Sequence, residues 1–533
     1  MTRALVDWTG DWASTRAAFR WSIPQFFNIA ERCCDSWAAA DPDRVALIVP
    51  EGRDWTYAAL KEASDRFANV LRAQGVGQGD RIAVLLPQTA EVMVTHFAAM
   101  KLGAISLPLF TLFGTDALAY RLVDSGAKAV VTHSEGVAKL DAIAGQTPDL
   151  KSVFNIDASA VPSQNFWEMI ARASARITPI RTQADDPAMM IYTSGTTGDP
   201  KGVLHAHRFL LGHLPCVEMH HEGLPQRGDL GWTPADWAWI GGLMDLAMPC
   251  LYYGIPQVVT RMRKFDPDAA FDLIGRHKVR NMFLPPTALK LMRQASIPER
   301  VDIRTIGSGG ESLGSDLLEW GRESLGAPIN ELYGQTECNL VITSRAGGGV
   351  SRAGTMGQAV PGHDVCVIDA DGEPVSDGQE GEIAVKRGTP VMFLKYWNKP
   401  EQTEEKFIGD WLRTGDLGGR DADGYFTYSS RDDDVITSAG YRIGPTEIET
   451  CLTAHPDVLM AAVIGEPDAF RTEIVVAYVV LRDGAIWGGL ADVLIERVKK
   501  HVSPHVAPRR IERLDAMPMT ATGKIMRRTL RKV

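Results

Sequence analysis

The 533-residue chain carries 56 Lys and Arg against 66 Asp and Glu, a formal net charge of −10. That balance argues against a protein that coats nucleic acid, which needs clustered cations to neutralise phosphate. The length calls for several folding units, about three at roughly 150 residues each, and 50 Gly and 30 Pro in no triplet period exclude a collagen.

The start, MTRALVDWTGDW, is acidic and interrupted, which does not match the basic-then-apolar pattern of a signal peptide. Seven cysteines, with Cys33 and Cys34 adjacent and no CxxC, give neither a disulfide framework nor a zinc spacing. The expected compartment is reducing and cytoplasmic. Arg81–Leu86 reads as a buried strand, Glu91–Leu102 as a helix ending at Gly103, and 127–132 as a further strand. Strand and helix in alternation point to parallel sheets. The most apolar stretch, Trp237–Thr260, is broken by Asp245, Pro249 and Pro256 and reads as buried core rather than a membrane span. Further strands are expected at 257–260, 281–284 and 365–369. From Gly362 the texture changes to short β-like runs with Asp-Gly turns at 371–372 and 423–424, which suggests a β-rich subdomain over about 355–430. The charge cluster Arg431-Asp432-Asp433-Asp434 is taken as the main domain boundary, although charge alone also fits a solvated turn. About 100 residues of α+β texture, 435–533, close the chain.

The strongest local signal is Tyr192–Gly202, YTSGTTGDPKG, preceded by a strand at 188–192. A loop of Thr, Ser and Gly exposes backbone N–H groups and hydroxyls with little Cβ obstruction, as a bound phosphate chain requires, and Lys201 adds a cation. It is not a Walker loop, because Lys201 follows Pro200 and precedes Gly202.

YTSGTTGDPKG resembles the phosphate loop of the adenylate-forming enzymes: acyl-CoA synthetases, peptide-synthetase adenylation domains and luciferases. The rest of that series follows in order. Gly309-Gly310-Glu311, with Ser312 after it, resembles the stretch beside the adenine. Glu331-Leu332 leads into Tyr333-Gly334-Gln335-Thr336-Glu337, the YGQTE motif. Arg413-Thr414-Gly415-Asp416 matches RTGD, Arg431 opens the hinge, and Gly440-Tyr441-Arg442-Ile443 matches the loop after it. Pro518, Thr520, Gly523 and Lys524 match the C-terminal PxTxxGK.

The resemblance implies an α/β adenylate-forming fold. A large N-terminal domain, 1–430, would hold two packed α/β sheets and the β subdomain. A hinge at 431–434, with Asp433 as its pivot, would lead to a small mobile α+β domain carrying a catalytic lysine. It also implies roles. Activation of a carboxylic acid brings a carboxylate to the α-phosphate of ATP as pyrophosphate leaves, so the site must aim positive charge at the transition state. Thr193, Ser194, Gly195, Thr196, Thr197, Gly198 and Lys201 would hold the β- and γ-phosphates. Thr336 and Glu337 would serve the α-phosphate and Mg²⁺, a hard ion that takes carboxylate oxygens. Gly310, Glu311, Ser312, Glu331, Leu332, Tyr333, Gly334 and Gln335 would line the nucleotide site. Asp416, an acceptor when ionised, suits the ribose hydroxyls, with Arg431 assisting and Arg442 at phosphate. Lys524 would bridge the carboxylate and the α-phosphate, a task for a compact ammonium.

A free-standing chain with this hinge most resembles the acetyl- and medium-chain acyl-CoA synthetases. There the C-terminal domain swings after adenylation, so Lys524 leaves and Gly440-Tyr441 arrives to guide the CoA thiol. Acetate-specific relatives place a tryptophan immediately before the glutamine of this motif; here Gly334 stands there. An acid larger than acetate is therefore expected, medium-chain, branched or cyclic, in a pocket lined by Trp237, Trp239, Gly241 and Gly334. Asp236 is the candidate for holding a substrate amino group, but glycine falls at the relevant place, which argues against amino-acid activation. His205, His207, His220 and His221 read as packed or surface histidines, since no carboxylate or Cys completes a metal set. The expected cofactors are ATP, Mg²⁺ and CoA. The expected partners are a small carboxylic acid and CoA, without nucleic acid or a membrane span; a homo-oligomer is compatible with the sequence. The alternatives are a ligase that delivers its acyl-adenylate to a carrier protein and a non-catalytic nucleotide or acyl sensor.

Overall fold

The computed structural model describes residues 4–157, 164–193, 200–262, 264–310, 313–431, 434–438, 441–468, 471–502, 504, 506–520 and 524–531. Two large sheets and one small one organise the chain. The first has eight strands in the order Lys395–Tyr396, Lys201–Ala206, Pro187–Thr193, Ile105–Pro108, Arg81–Leu85, Ala129–Thr132, Ser152–Asn155 and Gln164–Asn165. Its run from Pro187–Thr193 onward is parallel. Its central strands are buried along their length, as Ala129–Thr132 shows, the pattern of parallel strands covered on both faces. The helix Ala90–Lys101 follows the Arg81–Leu85 strand and ends before Gly103, whose φ of 63° is the left-handed conformation that stops a helix. Lys101 at that end is buried with Asp35 and Asp65 at 2.8 and 2.5 Å, so the internal charge is compensated.

The second sheet has 14 strands. Its parallel centre runs Ile329–Tyr333, Thr305–Gly309, Asn281–Phe283, Gly231–Trp232, Gln257–Val258 and Val45–Ile48. The expected β-rich region does not stand apart from it. Gly357–Ala359 pairs on one side with Ile342–Thr343 and on the other with Tyr425–Arg431, and Trp411–Arg420, Glu380–Lys386 and Val365–Ile368 continue the same sheet outward. The stretch read as buried core is helical and buried, in the pieces Ile240–Gly242, Leu243–Ala247 and Met248–Tyr253; the middle piece is a wider π turn. With the wholly buried helix Phe209–His220 it joins the main core. Each fully buried Leu or Phe there contributes roughly 1.5–3 kcal/mol.

A separate sheet of five strands follows residue 434: Tyr441–Ile443, Ile436–Ser438, Thr472–Leu481 and Val458–Asp468, with Arg510–Arg513 parallel to Thr472–Leu481. The helices Pro445–Thr453 and Leu490–His501 cover one face of it and form its own core. Among the described residues no helix is long and apolar enough to cross a membrane.

Candidate active site

A cavity of about 670 Å³ opens where the strand ends of the large sheets meet the C-terminal unit. Thr193 and Lys201 are register partners at the last rung of the hairpin Pro187–Thr193/Lys201–Ala206, and both line the cavity. The loop residues between them, Ser194, Gly195, Thr196, Thr197 and Gly198, lie outside the described residues, as do Glu311, Ser312, Asp433 and Gly440. Lys201 Nζ stands 4.9 Å from the centre of the Tyr396 ring, a cation–π contact. The Tyr396 hydroxyl in turn donates to Glu337. Strand Lys395–Tyr396 pairs with Lys201–Ala206, and that pairing brings Tyr396 to the site. No sequence motif marked it.

Gly310 ends the strand Thr305–Gly309 with a φ of 96°, which glycine adopts freely, and the Trp239 indole lies over it, 3.4 Å from where a Cβ would be. The next strand, Ile329–Tyr333, carries Glu331, Leu332 and Tyr333 to the cavity, and Gly334, Gln335, Thr336 and Glu337 follow on the same wall. Glu331 is buried, and burial pushes its carboxyl up to about 8 despite a hydrogen bond from the Leu313 N–H. Asp416 accepts from the Tyr333 hydroxyl at 2.8 Å and from Gln335 Nε2 at 2.6 Å, which fixes the direction of the carboxylate. Its register partner across the hairpin is Arg431. The YGQTE and RTGD segments are thus one hydrogen-bonded unit.

From the C-terminal side Lys524 lines the same cavity. Its N–H donates to Thr520 Oγ1 at 3.0 Å, and the Thr520 N–H donates to the Lys524 carbonyl at 2.7 Å. Arg527 anchors that segment. It bonds Glu449 with Nη2 at 2.8 and 2.9 Å and with Nε at 3.2 Å, and Asp434 with Nη1 at 3.2 Å. Burial opposes its charge, but the two carboxylates more than compensate and hold its pKa above the usual guanidinium range. Arg442 lies on the strand Tyr441–Ile443 opposite Thr437.

The apolar end is walled by Trp239, Gly241, Phe283 and Leu340, with the Trp239 and Phe283 rings 5.5 Å apart. Trp237 does not reach it. A turn closed by the Trp239 N–H on the Asp236 carbonyl at 3.1 Å separates the two indoles, and Trp237 packs into the main core. Gly334 lines the cavity, yet a Cβ there would meet Asn339 at 3.0 Å and the Leu340 Cα at 3.1 Å. The chain itself fills part of the space that the missing side chain was expected to open. Asp236 accepts from the Ala238 N–H and stands outside the cavity wall; burial raises its carboxyl to about 6. His205, His207, His220 and His221 are all buried, which holds His205, His207 and His220 down to about 3 and His221 well below the usual imidazole range. They are neutral packing groups, and among the described residues no three His, Cys, Asp or Glu gather for a metal.

An ammonium-lined, carboxylate-bearing wall at one end and an aromatic one at the other define a nucleotide-and-acid site. Residues 34–397 match the AMP-binding enzyme family and residues 447–524 the AMP-binding enzyme C-terminal domain. The chain belongs to the AMP-binding enzyme family. It is 32% identical to the acyl-coenzyme A synthetase ACSM4, mitochondrial, of Homo sapiens, over 96% of this chain and 91% of that one. It is equally 32% identical to the acetyl-coenzyme A synthetase of Bacillus subtilis (strain 168), over 98% and 93%. Among solved structures it is similar to the anthranilate CoA ligase AuaEII in complex with anthranoyl-AMP, with a TM-score of 0.88 at 26% identity over 95% of this chain and 97% of that one. A benzoate CoA ligase from Burkholderia xenovorans LB400 gives 0.84 at 29%, over 95% and 100%.

Proposed function

We propose that the chain is an AMP-forming acyl-CoA synthetase for a carboxylic acid larger than acetate. One observation carries the reading: a single cavity gathers Lys201, Glu337, Asp416 and Lys524 at one end and an aromatic pocket of Trp239 and Phe283 at the other. In the first step a carboxylate oxygen of the acid attacks the α-phosphorus of ATP, the bond to the β-phosphate oxygen breaks, and pyrophosphate leaves. Lys524 draws the two anions together, and Lys201 and Thr193 hold the departing phosphates. Asp416, oriented by Tyr333 and Gln335, takes the ribose hydroxyls. Glu337, tethered by Tyr396, would hold Mg²⁺ together with phosphate oxygens, the oxygen-rich and only partly protein-made coordination that this ion prefers. The ion neutralises phosphate charge when bound.

In the second step the CoA sulfur attacks the acyl carbonyl and AMP leaves. The C-terminal unit turns about residues 431–434, withdrawing Lys524 and presenting the Gly440–Arg442 segment to the pantetheine arm. The carbonyl end of the acid stays where it was, beside Thr336. The relatives include acetyl- and aryl-CoA ligases, so acid size rests on the aromatic pocket of Trp239 and Phe283. The reading places the enzyme in the cytoplasm, in keeping with seven buried free cysteines.

The test is incubation with ATP, Mg²⁺ and a panel of acids, with and without CoA. Pyrophosphate, AMP and a thioester in equal amounts support the reading. Pyrophosphate that never becomes a thioester would point to delivery to a carrier protein, and no pyrophosphate with any acid would point to a sensor.

A further inference from the structure

The acyl end of the cavity holds one acid group that adenylation does not use. Asp245 lies in the π-helical turn Leu243–Ala247, is only 3% exposed, and yet lines the cavity. Turns of this kind occur often at functional sites because the extra residue re-aims a side chain. Its hydrogen bond among the described residues comes from Asn339 Nδ2 to Oδ1, at 2.6 Å. The remainder of that network is closed. The other hydrogen of Asn339 Nδ2 points to His213 Nε2 at 3.2 Å, and His213 Nδ1 donates to the Phe209 carbonyl at 2.7 Å. This chain of donors assigns His213 as the neutral Nδ1–H tautomer, and among the described residues the Asn339 bond is the hydrogen bond that Asp245 receives. The cavity it lines also carries Trp239, Phe283 and Leu340, and among the described residues no Lys or Arg side chain is paired with it.

A carboxyl in such a place is held neutral, because burial raises its pKa well above the usual carboxylate range and the Asn339 bond offsets only part of that. Asp229, a buried acid outside the cavity wall, is by contrast satisfied by Arg304 at 2.8 and 3.0 Å. Asp245 Oδ2 is therefore a polar position built into an otherwise apolar pocket, and burying it against an alkyl chain leaves it unpaired.

Resting on the acyl-CoA synthetase reading, we propose that Asp245 is a specificity-determining residue: the pocket selects carboxylic acids that carry a neutral hydrogen-bonding group, a hydroxyl in the simplest case, on the acyl body. A hydroxyl both donates and accepts, so it matches Oδ2 in either protonation state. The neighbouring Asn339 side chain abuts Gly334, and both line the same cavity.

The experiment compares kcat/KM for matched pairs with and without a hydroxyl: benzoate against 2-, 3- and 4-hydroxybenzoate, and butanoate and hexanoate against their hydroxy forms. It uses the full chain, ATP, Mg²⁺ and CoA, and includes ammonium-bearing acids of the same lengths. At least one hydroxy acid should exceed its parent by about tenfold or more, the scale of an unpaired buried polar group. In Asp245→Leu that ratio should fall to about one or invert, through a rise in KM for the hydroxy acid, and Asp245→Asn should keep part of it. Equal use of hydroxylated and parent acids by the wild type would overturn the inference while leaving the synthetase reading intact. So would a preference for the ammonium-bearing acids. A loss in Asp245→Leu that is the same for every acid would make Asp245 a packing residue only and overturn it as well. No activity with any acid would instead count against the synthetase reading and, with it, the inference.

Discussion

Replacing Arg527 with methionine removes the cation that joins the Lys524 segment to the rest of the C-terminal unit. The side chains of Arg527, Glu449 and Asp434 are 18%, 14% and 19% exposed, so the cluster is neither dry nor freely solvated. Removing one partner of a fully buried pair costs about 3–5 kcal/mol, because the other charge is stranded, whereas an exposed pair is worth about 0–1 kcal/mol. With two carboxylates left behind but water within reach, the expected loss is about 2–3 kcal/mol. Hydrogen exchange read by mass spectrometry on 445–453 and 524–531 would report that loss locally, where global unfolding could average it with the large domain. The double variant Arg527→Met, Glu449→Leu should be more stable than the sum of its single changes, since an apolar pair strands less charge. Adenylation should fall with the single change, because Lys524 is three residues away on the loosened segment. Exchange indistinguishable from wild type in both segments would refute the reasoning, and so would a double variant worse than the sum.

Tyr396→Phe keeps the ring under Lys201 but removes the donor to Glu337; kcat for pyrophosphate release should drop by about tenfold and Tyr396→Ala should cost more, as stopped-flow phosphate-coupled assays would show. Glu331 binds a proton in the folded state up to about pH 8 and, when unfolded, only to its ordinary range near 4.5. The folded form therefore holds more protons between those values, and stability falls as pH rises from about 4.5 to 8. Glu331→Gln should flatten that part of a pH–denaturation profile; an unchanged slope would exclude Glu331 as its source. Gly334→Ala forces a Cβ to 3.0 Å from Asn339 and should cost about 1–3 kcal/mol by overpacking, seen as a lowered midpoint in thermal unfolding.

Much of the parallel core was legible because its strands are short runs of Val, Ile and Ala with helices between them, as at Arg81–Leu85 and Ala129–Thr132. The continuity of the second sheet was not, because the pairing of Gly357–Ala359 with Tyr425–Arg431 joins segments too far apart for any local period to report. Within the candidate site, the glycine-rich loop, YGQTE, RTGD and the Lys524 turn were visible as ordered motifs. Tyr396 belongs to no motif and acquires its place only through strand pairing. Asp245 looked like an interruption in an apolar run, and its neighbours Asn339 and His213 are 94 and 126 residues removed from Asp245 and from Asn339 in turn. Trp237 and Trp239 looked equivalent; the turn between them sends one to the core and one to the cavity.

The central claim is that one cavity runs two half-reactions and that Lys524 belongs to the first alone. The most direct test supplies Lys524→Ala with ATP, Mg²⁺ and acid in one experiment, and with preformed acyl-adenylate and CoA in another. The account predicts loss of pyrophosphate formation by several orders of magnitude, with thioester formation from the supplied adenylate close to that of wild type. Equal loss of both half-reactions, or retention of both, would contradict it.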